Sequence, residues 1–220
     1  MLIVDASVDD PHAELWFAEP AGFTPLPLDN LLPEPRTPGA DVLRAAAAPL
    51  LDSAPSEMAR QKLVALLASG QRMLGALREF GTVHCSVGLH RDDVQGPVGG
   101  SGQPLFSLLT ISWRGTSAAP RAAIVARAAA ELVDHSHLEY VDLPIGPLTI
   151  SESVLRPAGG TELPQQPLLQ IHAHLPHPDC TRLAILTLST TATARREEYR
   201  AILRQVVETV RFEKPLGDAP

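Results

Sequence analysis

The pattern that most constrains the fold lies in the last third of the chain. From residue 169 to residue 175, apolar side chains occupy the odd positions and polar or ionisable side chains occupy the even ones, which is the period of a half-buried β-strand. Residues 183 to 190 follow a short loop and predict a partner strand. From 199 to 210, apolar residues recur at steps of three and four, which predicts an amphipathic helix. We expect residues 210 to 212 to form either a short edge strand or the tail of that helix.

The same two periodicities predict further strands and helices upstream. The predicted strands are 83–90, 105–113, 138–143 and 148–155, and the predicted helices are 41–51, 56–80 and 118–134. Most neighbouring strands are joined by hairpin connections, which produce antiparallel pairs. The sequence therefore predicts an α+β fold, an antiparallel β-sheet flanked by helices in an α/β/α sandwich.

Length and proline content suggest how the chain is organised. A chain of 220 residues is long enough to bury one sizeable core, so we expect a single domain over residues 1 to 220. Prolines crowd the region before residue 40 and enforce turns and extended backbone there. Residues 1 to 40 are therefore predicted as a Pro-rich N-terminal arm or wrap, and residues 41 to 213 as the sheet-and-helix core.

Charge and hydropathy exclude several classes of partner. The formal net charge of −7 disfavours nucleic acid and anionic membranes, because both require clustered positive charge. The sequence contains no signal-peptide pattern and no apolar run of about 18 residues, so we expect no membrane insertion and a cytoplasmic location.

No motif for catalysis or for cofactor binding stands out. The glycine-rich stretch 96–102 is not followed by the Gly-Lys-Ser/Thr of a phosphate-binding loop. Ser101 does not fit a nucleophile elbow, because Gln103 stands where that motif needs glycine. We therefore predict no catalytic residue and no cofactor, and we favour a non-enzymatic protein.

The strand predicted at 83–90 gives an expectation about its faces. Val83, Cys85, Val87 and Leu89 alternate with polar residues, so we expect these four side chains to point into the core. Cys85 and Cys180 lie outside any C-x-x-C motif, and both are predicted to be reduced and partly buried.

Three histidines form the strongest alternative chemical candidate. His172 and His174 are two residues apart on a predicted strand, and such side chains project from the same face. The loop that follows carries His177 and offers a third metal ligand. The alternative interpretation, which we favour, is that polar positions of an alternating strand happen to be histidine.

Large apolar residues are concentrated in the Pro-rich N-terminal segment. We predict that they line a groove for a protein partner, although capping of the core explains them equally well. These residues are Trp16, Phe17, Phe23, Leu26, Leu28, Leu31 and Leu32.

The last predicted helix carries a basic stripe of Arg196, Arg200 and Arg204 at steps of four residues. This stripe fits an acidic partner, but a solvated helix face is the favoured interpretation.

A resemblance to a known fold group rests on the order of these segments. The chain has Phe23 to Leu28 after Pro20-Ala21-Gly22, then helices, hairpin strands, the strand 183–190, and a helix ending in Thr209-Val210-Arg211-Phe212. This order resembles the PsbP-like group, in particular its small actinobacterial members. The resemblance implies an antiparallel sheet between helical layers. It also implies a mostly non-enzymatic role, such as photosystem assembly, nucleotide release from a small GTPase, or chaperoning of secreted toxins.

Three functional hypotheses follow from the sequence. The first is a cofactor-free adaptor or chaperone-like protein that binds a protein partner, such as a secreted or membrane-associated client. The second is a metal-dependent hydrolase centred on His172, His174 and His177. The third is an oligomeric scaffold subunit, in which the segment Met1 to Val4 adds to the sheet edge of a second copy.

Overall fold

A computed structural model describes residues 15–26, 28–33, 36–52, 55–92, 104–131, 135–156 and 166–213. Within these ranges, seven strands form one antiparallel sheet with the order β1-β2-β3-β7-β6-β5-β4. The strands are β1 (Phe23–Pro25), β2 (Thr82–Arg91), β3 (Pro104–Gly115), β4 (His137–Leu143), β5 (Gly146–Leu155), β6 (Leu168–Pro176) and β7 (Arg182–Thr190). The helices are α1 (Leu28–Leu31), α2 (Pro38–Asp52), α3 (Glu57–Glu79), α4 (Arg121–Glu131) and α5 (Arg196–Thr209). The predicted α+β class, with an antiparallel sheet and flanking helices, is confirmed.

The main hydrophobic core lies between α5 and one face of the sheet. Leu109, Leu188 and Ile171 stand opposite one another across β3, β7 and β6, and all three side chains are buried. From α5, Leu203 and Val206 bury their side chains against this row. Burial of such apolar surface contributes about 25 cal/mol per Å² to folding. The apolar faces of the C-terminal strands and of α5 therefore pack together in one core.

Part of the Pro-rich N-terminal stretch belongs to the sheet. The strand β1 pairs with β2, where Phe23 stands opposite Gly88. Upstream, Trp16 and Arg211 exchange two backbone hydrogen bonds of 2.8 Å and form an isolated bridge. Residue 211, for which we expected an edge strand or a helix tail, therefore pairs with the N-terminal segment. The division into an arm at 1–40 and a core at 41–213 stays a prediction.

The helices α2 and α3 form a hairpin that packs mainly against α1 and β2. Helix α3 begins after Ser56, whose hydroxyl accepts a hydrogen bond from the backbone N–H of Ala59. This is the usual way in which a serine satisfies the free donors of the first turn. Helix α3 ends before Gly81, where a φ of +77° favours glycine. The long helix predicted from residue 56 to residue 80 is therefore present, over Glu57–Glu79.

Among the described residues, α4 packs on the second face of the sheet, against β5 and β6. Our face assignment for β2 was wrong, since Val83 and Leu89 are exposed and Cys85, although buried, lies on the face away from the main core. On the opposite face, the polar residue Ser86 is fully buried next to Leu109. The polar side chains on this face of β2 are covered by the N-terminal segment. For example, the ring of Phe17 packs on the ring of His84.

Candidate protein-docking surface

A groove opens between α1, α2 and α3, with a volume of about 720 Å³. We call it the hairpin groove. Most of its lining is apolar. Among the described residues, no atom lies within 4 Å of where a Cβ on Gly70 would stand, so the groove is open at this position. The apolar side chains that line it include Leu31, Leu32, Leu43, Ala47, Leu67 and Leu74.

The outer surface of the same two helices exposes further large apolar side chains. Val42 on α2 and Met58, Val64 and Met73 on α3 are all exposed. At about 100° per residue, Met58 and Met73 lie on a different side of α3 from the groove residues Leu67 and Leu74. These exposed side chains are therefore separate from the groove.

The charges of α3 differ in sign from those of the whole chain. Helix α3 carries four basic and two acidic side chains, whereas the chain has a formal net charge of −7. The basic residues are Arg60, Lys62, Arg72 and Arg78. Helix α2 adds one basic and two acidic side chains, Arg44, Asp41 and Asp52, so the two helices together carry a small positive net charge.

Only part of the predicted partner groove lies at this surface. Phe17 and Phe23 are buried in the main core, as the core-capping alternative expected, and Trp16 is buried as well but is not part of that core. Leu31 and Leu32 line the hairpin groove. Leu26 and Leu28 are half-buried and do not line it.

Sequence reasoning missed the groove residues supplied by α2 and α3. Leu43, Leu67 and Leu74 follow the helical spacing that we recognised, but the same spacing describes a helix buried in a core. A groove-lining helix differs from a core helix in how little of it packs on the sheet. That packing depends on residues distant in the sequence, so the helical spacing alone does not reveal it.

The open face of the sheet carries a second set of exposed apolar residues. The strand register places Leu89 and Phe106 together at one end of this face, and Leu138, Tyr140 and Leu155 at the other. The two groups are separated by polar side chains of β7 and β6, so they do not form a concave site. The hairpin groove is therefore the stronger candidate for docking.

The histidines of the metal alternative do not form one cluster. His172 and His174 share a face of β6, with ring centroids 6.0 Å apart, and Nδ1 of His172 lies 2.9 Å from the Thr187 hydroxyl. His177 instead packs its ring on Trp113 and Phe212.

Burial sets the chemistry of the histidine pair. It lowers the pKa of His172, and it lowers the pKa of His174 to about 4, with smaller contributions from the neighbouring charges of His172 and Arg114. Among the residues that the structure describes, no three His, Cys, Asp or Glu side chains are placed to hold a metal ion.

The basic stripe of α5 is a solvated face only in part, since Arg196 and Arg204 are partly exposed whereas Arg200 is largely buried. Arg196 and Arg200 both pair with Glu152, a buried carboxylate on β5. Arg204 pairs with Glu139 on β4. These ion pairs connect α5 to β4 and β5 at one edge of the sheet. The three arginines therefore already have acidic partners within the fold.

Comparison with protein-family models, with curated proteins and with solved structures found no match to this chain. In the described parts of the chain, no helix is both long enough and apolar enough to cross a membrane.

Proposed function

We propose that this chain is a non-enzymatic, cytoplasmic protein-binding protein, an adaptor or chaperone-like factor that holds an amphipathic helix of its partner in the hairpin groove. The observation that carries this proposal is the apolar groove of about 720 Å³ on a helix pair that packs mainly against α1 and β2. The PsbP-like resemblance, with its mostly non-enzymatic members, belongs to the same proposal, as does a secreted or membrane-associated client.

The shape of the groove favours a helix as its occupant. Two long helices and the short α1 surround the groove, and Leu43, Leu67 and Leu74 point into it from two of them. An amphipathic helix inserts apolar residues at positions i, i+3, i+4 and i+7 into such a groove. The four basic residues of α3 then favour acidic residues on the flanks of the bound helix.

The proposal is tested with three synthetic peptides of about 18 residues, a length that gives about five helical turns. The first places Leu at i, i+3, i+4 and i+7 with Glu at most other positions. The second replaces Glu by Lys, and the third scrambles the order of the first. We expect micromolar binding of the acidic peptide by calorimetry, at least about ten-fold weaker binding of the basic one, and none of the scrambled one.

A matched pair of variants locates the binding site. Leu67 in the groove and Leu138 on β4 are 39% and 41% exposed, so Leu67→Glu and Leu138→Glu place the same charge at equally accessible positions. Leu67→Glu should weaken binding of the acidic peptide by at least about ten-fold, and Leu138→Glu by less than about two-fold. Absence of binding to the wild type, or an equal loss in both variants, would refute the proposal.

A further inference from the structure

The strand β4 lies at one end of the sheet, where β5 is its only neighbour among the described strands. Its other edge is open within the described parts of the chain, and we call it the β4 edge. An open edge presents unpaired backbone N–H and C=O groups to another chain, so natural proteins protect it with lysine, proline or a β-bulge. The strand His137–Leu143 contains neither lysine nor proline, and its register with β5 is unbroken.

Two large apolar side chains stand beside the β4 edge. Leu138 and Tyr140 are 41% and 58% exposed, and they share one face of the strand because they are two residues apart. Their neighbours across the ladder, Ser151 and Thr149 on β5, are buried. Burial on this face therefore ends at β4, and a further strand would cover Leu138 and Tyr140.

The charges of β4 leave room for such pairing. Glu139 forms an ion pair with Arg204 on α5 and lies 4.0 Å from Nε2 of His137, so its charge is balanced within the fold. Asp142 is the remaining acidic side chain of the strand. Like charges directly opposite each other destabilise a strand pair, so the position of Asp142 in the pairing decides whether repulsion arises.

We propose that the β4 edge pairs with the same edge of a second copy of this chain, so that two seven-stranded sheets form one continuous sheet in a symmetric dimer. Most homodimers have such two-fold symmetry, in which the same surface serves both copies. The interface shares no residue with the hairpin groove. It also differs from the scaffold hypothesis drawn from the sequence, because it uses β4 and not the segment Met1 to Val4.

Charge and backbone chemistry select one register for this pairing. In the register centred on Tyr140, no two like charges stand opposite each other, and the two tyrosine rings form a cross-strand aromatic pair. The opposed residues are His137 with Leu143, Leu138 with Asp142, Glu139 with Val141, and Tyr140 with its copy.

The two neighbouring registers are less favourable. Centring the pair on Glu139 places two carboxylates opposite each other. Centring it on Val141 places Pro144 opposite Leu138, and proline has no N–H to donate to the ladder. The register centred on Tyr140 is therefore the one that the sequence of β4 favours.

The size of this interface predicts a moderate affinity. Seven residues per strand bury less surface than the roughly 1,600 Å² of a standard protein interface. We therefore expect a dissociation constant of about 10 μM. Sedimentation equilibrium of the full chain between about 1 and about 200 μM should show the mass rising from 23.5 kDa toward twice that value.

A matched pair of variants locates the interface. Tyr140 and Phe106 are 58% and 59% exposed, but Phe106 lies on β3, away from the β4 edge. Tyr140→Lys places two lysines opposite each other in every dimer, so it should weaken dimerisation at least about a hundred-fold, whereas Phe106→Lys should change it by less than about two-fold. Circular dichroism verifies that both variants are folded.

A mixing experiment tests the register itself. Tyr140→Lys and Tyr140→Glu should each associate weakly alone, but a mixture should form a heterodimer at least about ten-fold tighter than either homodimer, because opposite charges then face each other. Leu67→Glu in the hairpin groove should leave the wild-type dimer unchanged.

Four results would overturn the proposal. They are a wild type that stays monomeric at about 200 μM, an equal effect of Tyr140→Lys and Phe106→Lys, loss of the dimer in Leu67→Glu, and no tighter association in the mixture of the two Tyr140 variants.

Discussion

The carboxylate of Glu152 on β5 lies 2.5 Å from the guanidinium of Arg200 on α5, and only 1% of the Glu152 side chain is exposed. The same carboxylate lies 3.3 Å from Arg196 and accepts a hydrogen bond of 3.2 Å from the Ser136 hydroxyl. One buried acid thus joins the sheet, the helix that covers it, and the loop before β4.

Replacement of Glu152 should lower the stability of the fold. Glu152→Gln removes the charge but keeps the shape, and it leaves Arg200 with a largely buried charge. Such changes cost about 3 kcal/mol, so the free energy of unfolding, measured with urea, should fall by about that amount. Arg200 also pairs with the exposed Glu197 at 2.8 Å, and Glu197→Gln should cost less than about 1 kcal/mol. Equal effects of the two changes would show that Glu152 does not fasten α5.

The buried histidine pair predicts acid sensitivity. Burial lowers the pKa of His174 from 6.5 to about 4. Between about pH 6.5 and about pH 4, His174 is therefore protonated in the unfolded chain but neutral in the folded chain. The free energy of unfolding therefore falls as the pH falls from about 6.5 to about 4, and His174 alone accounts for a loss of about 2 kcal/mol between about pH 7 and about pH 5.

This contribution is isolated by comparing variants in urea titrations at the two pH values. His174→Gln should lose about 2 kcal/mol less than the wild type over this interval. A wild-type pH dependence in His174→Gln would show that other groups cause the sensitivity.

Gly88 on β2 should tolerate no side chain. A Cβ there would lie 2.7 Å from the ring of Phe23 and 2.8 Å from the ring of His90, with the Ser107 hydroxyl closer still. Because Phe23 is held in the core, Gly88→Ala should lower the free energy of unfolding by about 2 kcal/mol. At Gly115 no atom lies within 4 Å of a Cβ, so Gly115→Ala is the matched control and should change it by less than about 0.5 kcal/mol. A tolerated alanine at position 88 would contradict the packing of β1 on β2.

The two cysteines should differ in reactivity. Burial, with a contribution from the charge of Glu19, raises the pKa of the Cys85 thiol to about 11, and the thiolate is the reactive form. Cys180 is partly exposed in a loop. At about pH 8, iodoacetamide should alkylate Cys180 at least about a hundred-fold faster than Cys85, as measured by peptide mass spectrometry. Comparable rates in the folded protein would mean that Cys85 is accessible, and Cys180→Ser provides the background rate.

The C-terminal half of the fold could be predicted because its signals are local. In β6, apolar and polar residues alternate without interruption, and in α5 the apolar residues keep helical spacing, so each element specifies its own buried face. One face of α5 was misjudged, because Arg200 looks like any exposed arginine until the distant Glu152 is placed beneath it.

The N-terminal half depends on contacts that no local pattern reveals. The short strand β1 is stabilised by pairing with β2, a segment about sixty residues away in the sequence, and the Trp16 bridge requires Arg211 at the other end of the chain. The hairpin groove also depends on how distant segments pack together. Leu67 and Leu74 follow ordinary helical spacing, and only the position of α2 and α3 beside the sheet, instead of on it, makes them a candidate docking site.

The most direct test of the account is methyl NMR of the full chain during titration with the acidic amphipathic peptide. We predict saturable shifts of the methyl resonances of Leu43, Leu67 and Leu74, which line the hairpin groove, with Leu138 and Leu155 on the open sheet face unchanged. Shifts confined to Leu138 and Leu155, or no shifts at saturating peptide, would contradict a partner site in the hairpin groove.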